Sequence, residues 1–393
     1  MADHHSATGA APAAARVITL FQLLVVVLMW NSAYKGARVV NTLYALHLGA
    51  SPFEIGLLLA TYGVFPLLMA VAAGRLADRH GARLPIIAGM IVCTIGIMLP
   101  LGASGLPLLF AGAAVTGLGF ILGQVAFQSL VGALGEGKAR TQNFNTYALV
   151  IAVADFVGPV VAGISIDHAG HVPAYLVLGA LAGTGTLTLI ALARRVPRHS
   201  KPVARAAGTR VIDLFRDPDM RRVLIAGAVV MTGIDLFQLY IPLYGHDVGL
   251  SATAIGMVLG AAAAATFVSR ALLPLLVRLY GEETTLLYAL FLGAAMFALI
   301  PFFKGAIVLG VICFALGLGM GLGQPLTVML CYSYSPAGRA GESLGLRIAI
   351  NNSMHVAVPT GFGAMGAAIG LAPVFWISAA VLAAGSWLSR KRG

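Results

Sequence analysis

WNSAYKGARVVNTLY, residues 30–44, sets two cations, Lys35 and Arg38, inside a segment that is otherwise apolar. At helical spacing Asn31, Tyr34/Lys35, Arg38 and Asn41/Thr42 recur every three or four residues and define one polar face. Apolar residues run from Val17 to Met29 and again from Leu43 to Leu48, so the cations fall near the middle of a helix of membrane length. A cation at that depth costs at least ~2.5 kcal/mol on insertion scales, and must face protein or a wet cavity with a partner or a ligand. The stretch reads as one wall of a site for a negatively charged molecule.

The whole chain fits a membrane setting. Of 393 residues, 59% are hydrophobic and 10% charged, against about 25% charged in soluble domains. Apolar runs of membrane length predict twelve helices, over 17–46, 53–74, 84–102, 107–132, 141–165, 174–193, 223–246, 253–277, 284–302, 306–331, 342–366 and 373–389. The net charge of +11 raises nucleic acid as a partner, but the layout of the basic residues points to a bilayer. One side of the predicted membrane holds Arg16, Arg75, Arg79, Arg83, Lys138, Arg140, nine residues between Arg194 and Arg222, Arg278, Arg339 and the Arg390-Lys391-Arg392 end, and the other holds Lys304 alone. By the positive-inside rule both termini are cytoplasmic, and the expected location is a plasma membrane of the bacterial inner-membrane kind. Cys93, Cys313 and Cys331 lie in or at the ends of apolar helices and read as small buried hydrophobes. No metal site is expected, since His4-His5 has no accompanying ligands, and no cofactor is implied.

The chain can be laid over itself. LGASPFEIGLLL from Leu48 matches VGLSATAIGMVL from Val248, Gly81 matches Gly281, GLGFILGQ from Gly117 matches GLGMGLGQ from Gly317, and Pro159 with Gly163 matches Pro359 with Gly363. All of these pairs stand 200 positions apart without a gap. A duplicated six-helix unit is the sequence signature of transporters built from two halves, with the site between them near the midplane. The expected organisation is a cytoplasmic tail (1–16), a first bundle (17–193), a linker (194–222), a second bundle (223–389) and a short tail (390–393). Asp213 to Met220 reads either as an amphipathic turn on the membrane surface or as plain linker.

The joint Gly74-Arg75-Leu76-Ala77-Asp78-Arg79-His80-Gly81-Ala82-Arg83 resembles the signature loop of the major facilitator superfamily, G-x-x-x-D-R-x-G-R-R, with Ala82 in place of one basic residue. The resemblance spans the twelve-helix region and implies that family's fold, an all-α membrane protein of two pseudo-symmetric six-helix bundles working by alternating access. It also implies that Gly74, Asp78, Arg79, Gly81 and Arg83 latch the cytoplasmic side during the cycle. Gly158-Pro159 with Gly163 is similar to the Gly-Pro motif of the family's proton antiporters, though Ala162 interrupts it, and Ala113 stands where many members carry an arginine.

Ionisable groups in a membrane core are functional candidates by default. Arg38, with its planar fork, suits an anion best. Gln238 stands 200 positions after it, as Asp235 does after Lys35, and this correspondence predicts that Lys35 and Asp235 approach one another in some conformation. The alternative is a permanent structural pair. Arg270, whose other reading is snorkelling toward headgroups, and Arg347, Asn351 and His355, at i, i+4 and i+8 on one face, complete the substrate candidates with Asn31, Tyr34 and Asn41. Asp155 and Asp235, the two central carboxylates, are the candidates for proton coupling. Pro159 and Pro359 interrupt helix hydrogen bonding and, with the Gly-rich runs ending in Gln124 and Gln324, are candidates for bending and sliding.

The expectation is therefore a monomeric transporter, not an enzyme, carrying a small organic anion in symport with protons across a lipid bilayer, without nucleic acid. Gly102-Ala103-Ser104-Gly105 matches the G-x-S-G of intramembrane serine proteases, but it sits in a short loop and no matching histidine follows. Proton-driven efflux of drugs or metabolites is the first alternative, and a non-transporting sensor of the same fold the second.

Overall fold

The computed structural model describes residues 19–102, 105–134, 137–193, 216–335 and 340–389, with the side chains of 70–71, 74–75, 77–80, 132–133, 137–141, 145, 340–342 and 389 outside the description. These residues form twelve α-helices and no strand: α1 (Leu20–His47), α2 (Pro52–His80), α3 (Arg83–Met98), α4 (Leu106–Ala133), α5 (Gly137–Ala169), α6 (His171–Leu192), α7 (Pro218–Asp247), α8 (Ala252–Tyr280), α9 (Glu282–Leu299), α10 (Ala306–Ser333), α11 (Ala340–Ile369) and α12 (Leu371–Ser389). Eleven of them are long and apolar enough to cross a membrane. The remaining one, α11, carries Arg347, Asn351, Asn352 and His355.

The sequence repeat reappears in the local stereochemistry. Ser51 caps α2 and Ser251 caps α8, each accepting from the backbone three residues on. Glu54 closes the first cap into a capping box, whereas Ala254 leaves the second simple. Gly81 and Gly281 follow α2 and α8 at φ of 75° and 78° with extended ψ, a region in which an L side chain is strained. Asp217 caps α7, so Pro218 to Arg222, expected as linker, are helical; residues 213–215 of the expected surface turn lie outside the described residues.

Neighbour relations are duplicated too. α1 packs on α5 and α6 as α7 packs on α11 and α12, and α2, α3 and α4 associate as α8, α9 and α10 do. The halves meet along α5 with α8 and α2 with α11, and more lightly along α1 with α7. Small residues permit this: a Cβ on Gly56 would lie 2.2 Å from the Pro359 carbonyl oxygen, and one on Gly256 2.5 Å from that of Pro159. The repeated prolines thus stand at the two helix crossings between halves. Close to the crossing of α5 and α8, the Asp167 carboxylate accepts from Ala252 N (3.0 Å) and Thr253 N (2.7 Å), the free amides of the α8 N-terminus. That contact ties the halves at the end bearing the α5–α6 and α7–α8 turns, the outer end in the expected topology.

Candidate functional site

Between the halves lies a cavity of about 250 Å³ walled by α1, α2, α5, α7, α8 and α10. Lys35 and Arg38 reach it from α1, Asp155 from α5, Gln238 from α7, Arg270 from α8 and Gln324 from α10. Thr42 and Thr266 add hydroxyls, while Leu59, Phe237, Leu259 and Met320 make part of the wall apolar. A few polar groups on an apolar wall is the usual make-up of a small-molecule site.

Its geometry begins with the closeness of α1 and α5. A Cβ on Gly158 would meet Ser32 O at 2.5 Å and Lys35 Cβ at 2.9 Å, and one on Gly36 would meet Gly158 O at 2.8 Å, so only the glycine pair lets these backbones touch. That approach places Lys35 Nζ 2.6 Å from Asp155 Oδ1, both side chains partly open to the cavity. The expected approach of Lys35 to Asp235 is not what the structure holds. Asp235 is buried and bonds His355, while Lys35 finds its carboxylate within its own half. The repeat fixes equal depth but not which helix faces which, and the first helix of each half lies on the fifth.

Two other cations on the cavity wall have no carboxylate within ion-pairing distance among the described residues. Arg38 places its guanidinium 5.8 Å from the Tyr62 ring centroid, in cation–π range, and its buried Nε has no hydrogen-bond partner. Arg270 donates from Nη1 to the Ala148 carbonyl oxygen at 2.8 Å, which directs it to the facing helix α5 of the other half. With Lys35 and Asp155 neutralising each other, the wall carries an excess of two positive charges.

Several candidates fall elsewhere. Tyr34 stacks on Phe120 with ring centroids 3.8 Å apart, and Asn41 is buried between Tyr62 and Tyr175, donating to the first at 2.6 Å and accepting from the second at 2.5 Å. Both stand roughly 100–120° around the helix from Lys35 at 3.6 residues per turn, facing the bundle and not the cavity. Asn31 is also buried, donating to Val27 O at 3.0 Å. Arg347 is 5% exposed and is held by Thr327 Oγ1 (2.9 Å from Nη2) and Gln324 Oε1 (2.6 Å), pinning α11 to α10. Asn351 is buried a turn further on with Oδ1 unpartnered, and neither it nor His355 lines the cavity. Asp235 is likewise off the wall. Of the loop residues, Gly74, Asp78 and Arg79 have side-chain positions outside the description, and Arg83 opens α3. Thr266 was not anticipated; it stands one turn before Arg270 on the same helix face, which is the signal that would have found it.

Known proteins resemble the chain in sequence and in fold. A family model described as Major Facilitator Superfamily matches residues 20–359. The chain is 25% identical over 323 residues to a tetracycline resistance protein, class G, from Vibrio anguillarum, covering 79% of this chain and 80% of that protein. It is 27% identical over 187 residues to the human vesicular acetylcholine transporter, covering 47% of this chain and 34% of that protein. Among solved structures, a point mutant of the nucleoside transporter NupG superposes with a TM-score of 0.79 at 12% identity, covering 94% of this chain and 98% of that one, a likeness of fold.

Proposed function

The chain belongs to the Major Facilitator Superfamily, and from that premise we propose that it carries a small organic anion through the Lys35–Arg38–Arg270 cavity, coupled to protons and by symport. The observation that supports this most is the pair of guanidinium groups, Arg38 and Arg270, one from each half, neither ion-paired with a carboxylate among the described residues. An anion bridging them is held by both bundles, which is how a passenger biases the closing of one against the other.

The sign of the coupling follows from the Lys35–Asp155 pair. An anion drawn to Lys35 competes with Asp155 for its charge, and a carboxylate deprived of its cation holds a proton more readily. Anion and proton then strengthen each other's binding, as reciprocity demands. Joint binding of two ligands is the requirement of a symporter. Gln238 and the hydroxyls of Thr42 and Thr266 supply hydrogen bonds for orientation. The protein works as a monomer in a bacterial inner membrane with both termini in the cytoplasm, and Pro159 and Pro359, at the crossings of α5 with α8 and α2 with α11, are where the rocking halves bend.

Proton-driven efflux is the second reading, favoured by the tetracycline resistance relative and by the partial Gly-Pro motif. A cationic passenger would compete with the proton for Asp155 and reverse the linkage. The test is a melting-temperature screen of purified protein against organic anions, followed by uptake of the best-stabilising anion into proteoliposomes. A proton gradient directed with the anion should raise its uptake. Acceleration only by a gradient of the opposite direction would establish exchange and overturn symport.

A further inference from the structure

Lys35 and Asp155 join α1 to α5, and the residues 200 positions later, Asp235 and His355, join α7 to α11. The same two positions are thus used in each half with acid and base transposed, and a titratable imidazole replaces one permanent partner. We propose that Asp235 and His355 form a second proton site, apart from the cavity, whose charge state biases the contact between the halves. This rests on the proton-coupled reading above and locates where the conformational equilibrium senses the proton.

His355 Nδ1 lies 2.8 Å from Asp235 Oδ1 and 2.9 Å from Oδ2, so the imidazole spans both oxygens of one carboxylate. Donation from Nδ1–H leaves Nε2 as the atom that gains or loses a proton. The Asp235 side chain is 1% exposed and that of His355 36%, so the imidazole is the more open member of the pair. The dyad carries one negative charge when the imidazole is neutral and none when it is protonated.

Its surroundings give that change an effect. α7, which carries Asp235, touches α1, and a Cβ on Gly63 of α2 would meet His355 O at 3.2 Å, so the helices bearing both members touch the first half. The charged or titratable groups nearest this depth are Tyr34, Lys35 and Arg38 on α1, Tyr62 on α2, Tyr240 on α7 itself and Arg270 on α8; Cys313 and Cys331 on α10 and Arg347 on α11 lie toward the helix ends, and α12 has none among the described residues. Arg38 of α1, which has no carboxylate partner among the described residues, attracts a negative dyad across the seam, and protonation weakens that attraction.

The test needs no substrate. Spin labels at Leu48→Cys and Ile369→Cys, on opposite halves at the outer end, report the separation of the halves in full-length protein in lipid nanodiscs from pH 5 to pH 9. The ratio of near to far populations is expected to change about tenfold in the otherwise unaltered protein and to become independent of pH in His355→Gln and in Asp235→Asn. Combined substitution of His47, His80, His168, His171 and His246, the other histidines of the described residues, by Gln should leave the change intact. A ratio that never depends on pH, a dependence surviving in His355→Gln, or one lost with the other histidines overturns the proposal. Should either single variant fail to fold, the exchange Asp235→His with His355→Asp decides, since the dyad predicts restored pH dependence and its loss refutes it. Because no anion is present, failure here is distinct from failure of the anion site, which binding to Arg38 variants reports.

Discussion

Replacing Asp155 by Asn removes the charge that occupies Lys35 while preserving shape. Lys35 Nζ and Asp155 Oδ1 are 2.6 Å apart, with side chains 21% and 33% exposed, so water screens the pair in part. An anion seated on Lys35 comes within about 6 Å of the Asp155 carboxylate, where like charges repel by ~3 kcal/mol at an effective dielectric constant of about 20. Allowing roughly half of that for solvent screening leaves ~1.4 kcal/mol, a tenfold tighter complex for Asp155→Asn. The variant should also lose the pH dependence that Asp155 confers. On the proposed symport, anion binding draws in a proton, so affinity should fall as pH rises by about tenfold in all, the same factor as the substitution. Isothermal titration of purified protein at several pH values, using the anion that raises the melting temperature most, measures both effects. Binding that weakens in Asp155→Asn, or an unchanged pH slope, would refute the reasoning.

Arg38→Ala should weaken the same anion by about 10–100-fold, with Arg38→Lys recovering part of the loss because a point charge lacks the guanidinium fork; equal affinity in all three proteins would remove Arg38 from the site. Gly158→Ala forces a methyl group against Ser32 O and Lys35 Cβ, and should cost about 1–3 kcal/mol, read as a lower melting temperature together with impaired transport. Arg347→Met leaves Gln324 Oε1 and Thr327 without their donor, so stability should fall by about 1–3 kcal/mol while anion affinity changes less than threefold. Asp167→Ala removes the acceptor of the Ala252 and Thr253 amides across the seam while Ser251 still caps α8, and at ~1 kcal/mol should raise about fivefold the labelling of Gln238→Cys by an impermeant thiol reagent added from the outer side.

Much of the fold was legible because duplication leaves a mark that needs no structure. Glycines, prolines and caps recur at one offset, and the structure repeats them as equivalent turns and helix neighbours. Depth in the membrane was legible too, which is why Lys35, Arg38, Gln238 and Arg270 all appear on the cavity wall. Facing was not. Tyr34 and Asn41 belong to the same polar run as Lys35, yet the turn of the helix sends them into ring and amide contacts inside the first bundle. In this structure Lys35 pairs within its own half: symmetry equates the positions 35 and 235 without making them neighbours, whereas the contact of α1 with α5 depends on Gly36 and Gly158 meeting in space. Arg347 illustrates a further limit: a buried cation satisfied by a hydroxyl and an amide has the same sequence appearance as one that awaits an anion.

The proposed transport depends on a basic cavity that takes an anion and a proton together. Its most direct test is the number of protons exchanged when the stabilising anion binds, obtained by calorimetry in buffers of different ionisation enthalpy. Net uptake, reaching about half a proton per anion for a tenfold coupling and absent in Asp155→Asn, is the predicted result, and proton release on binding would contradict it.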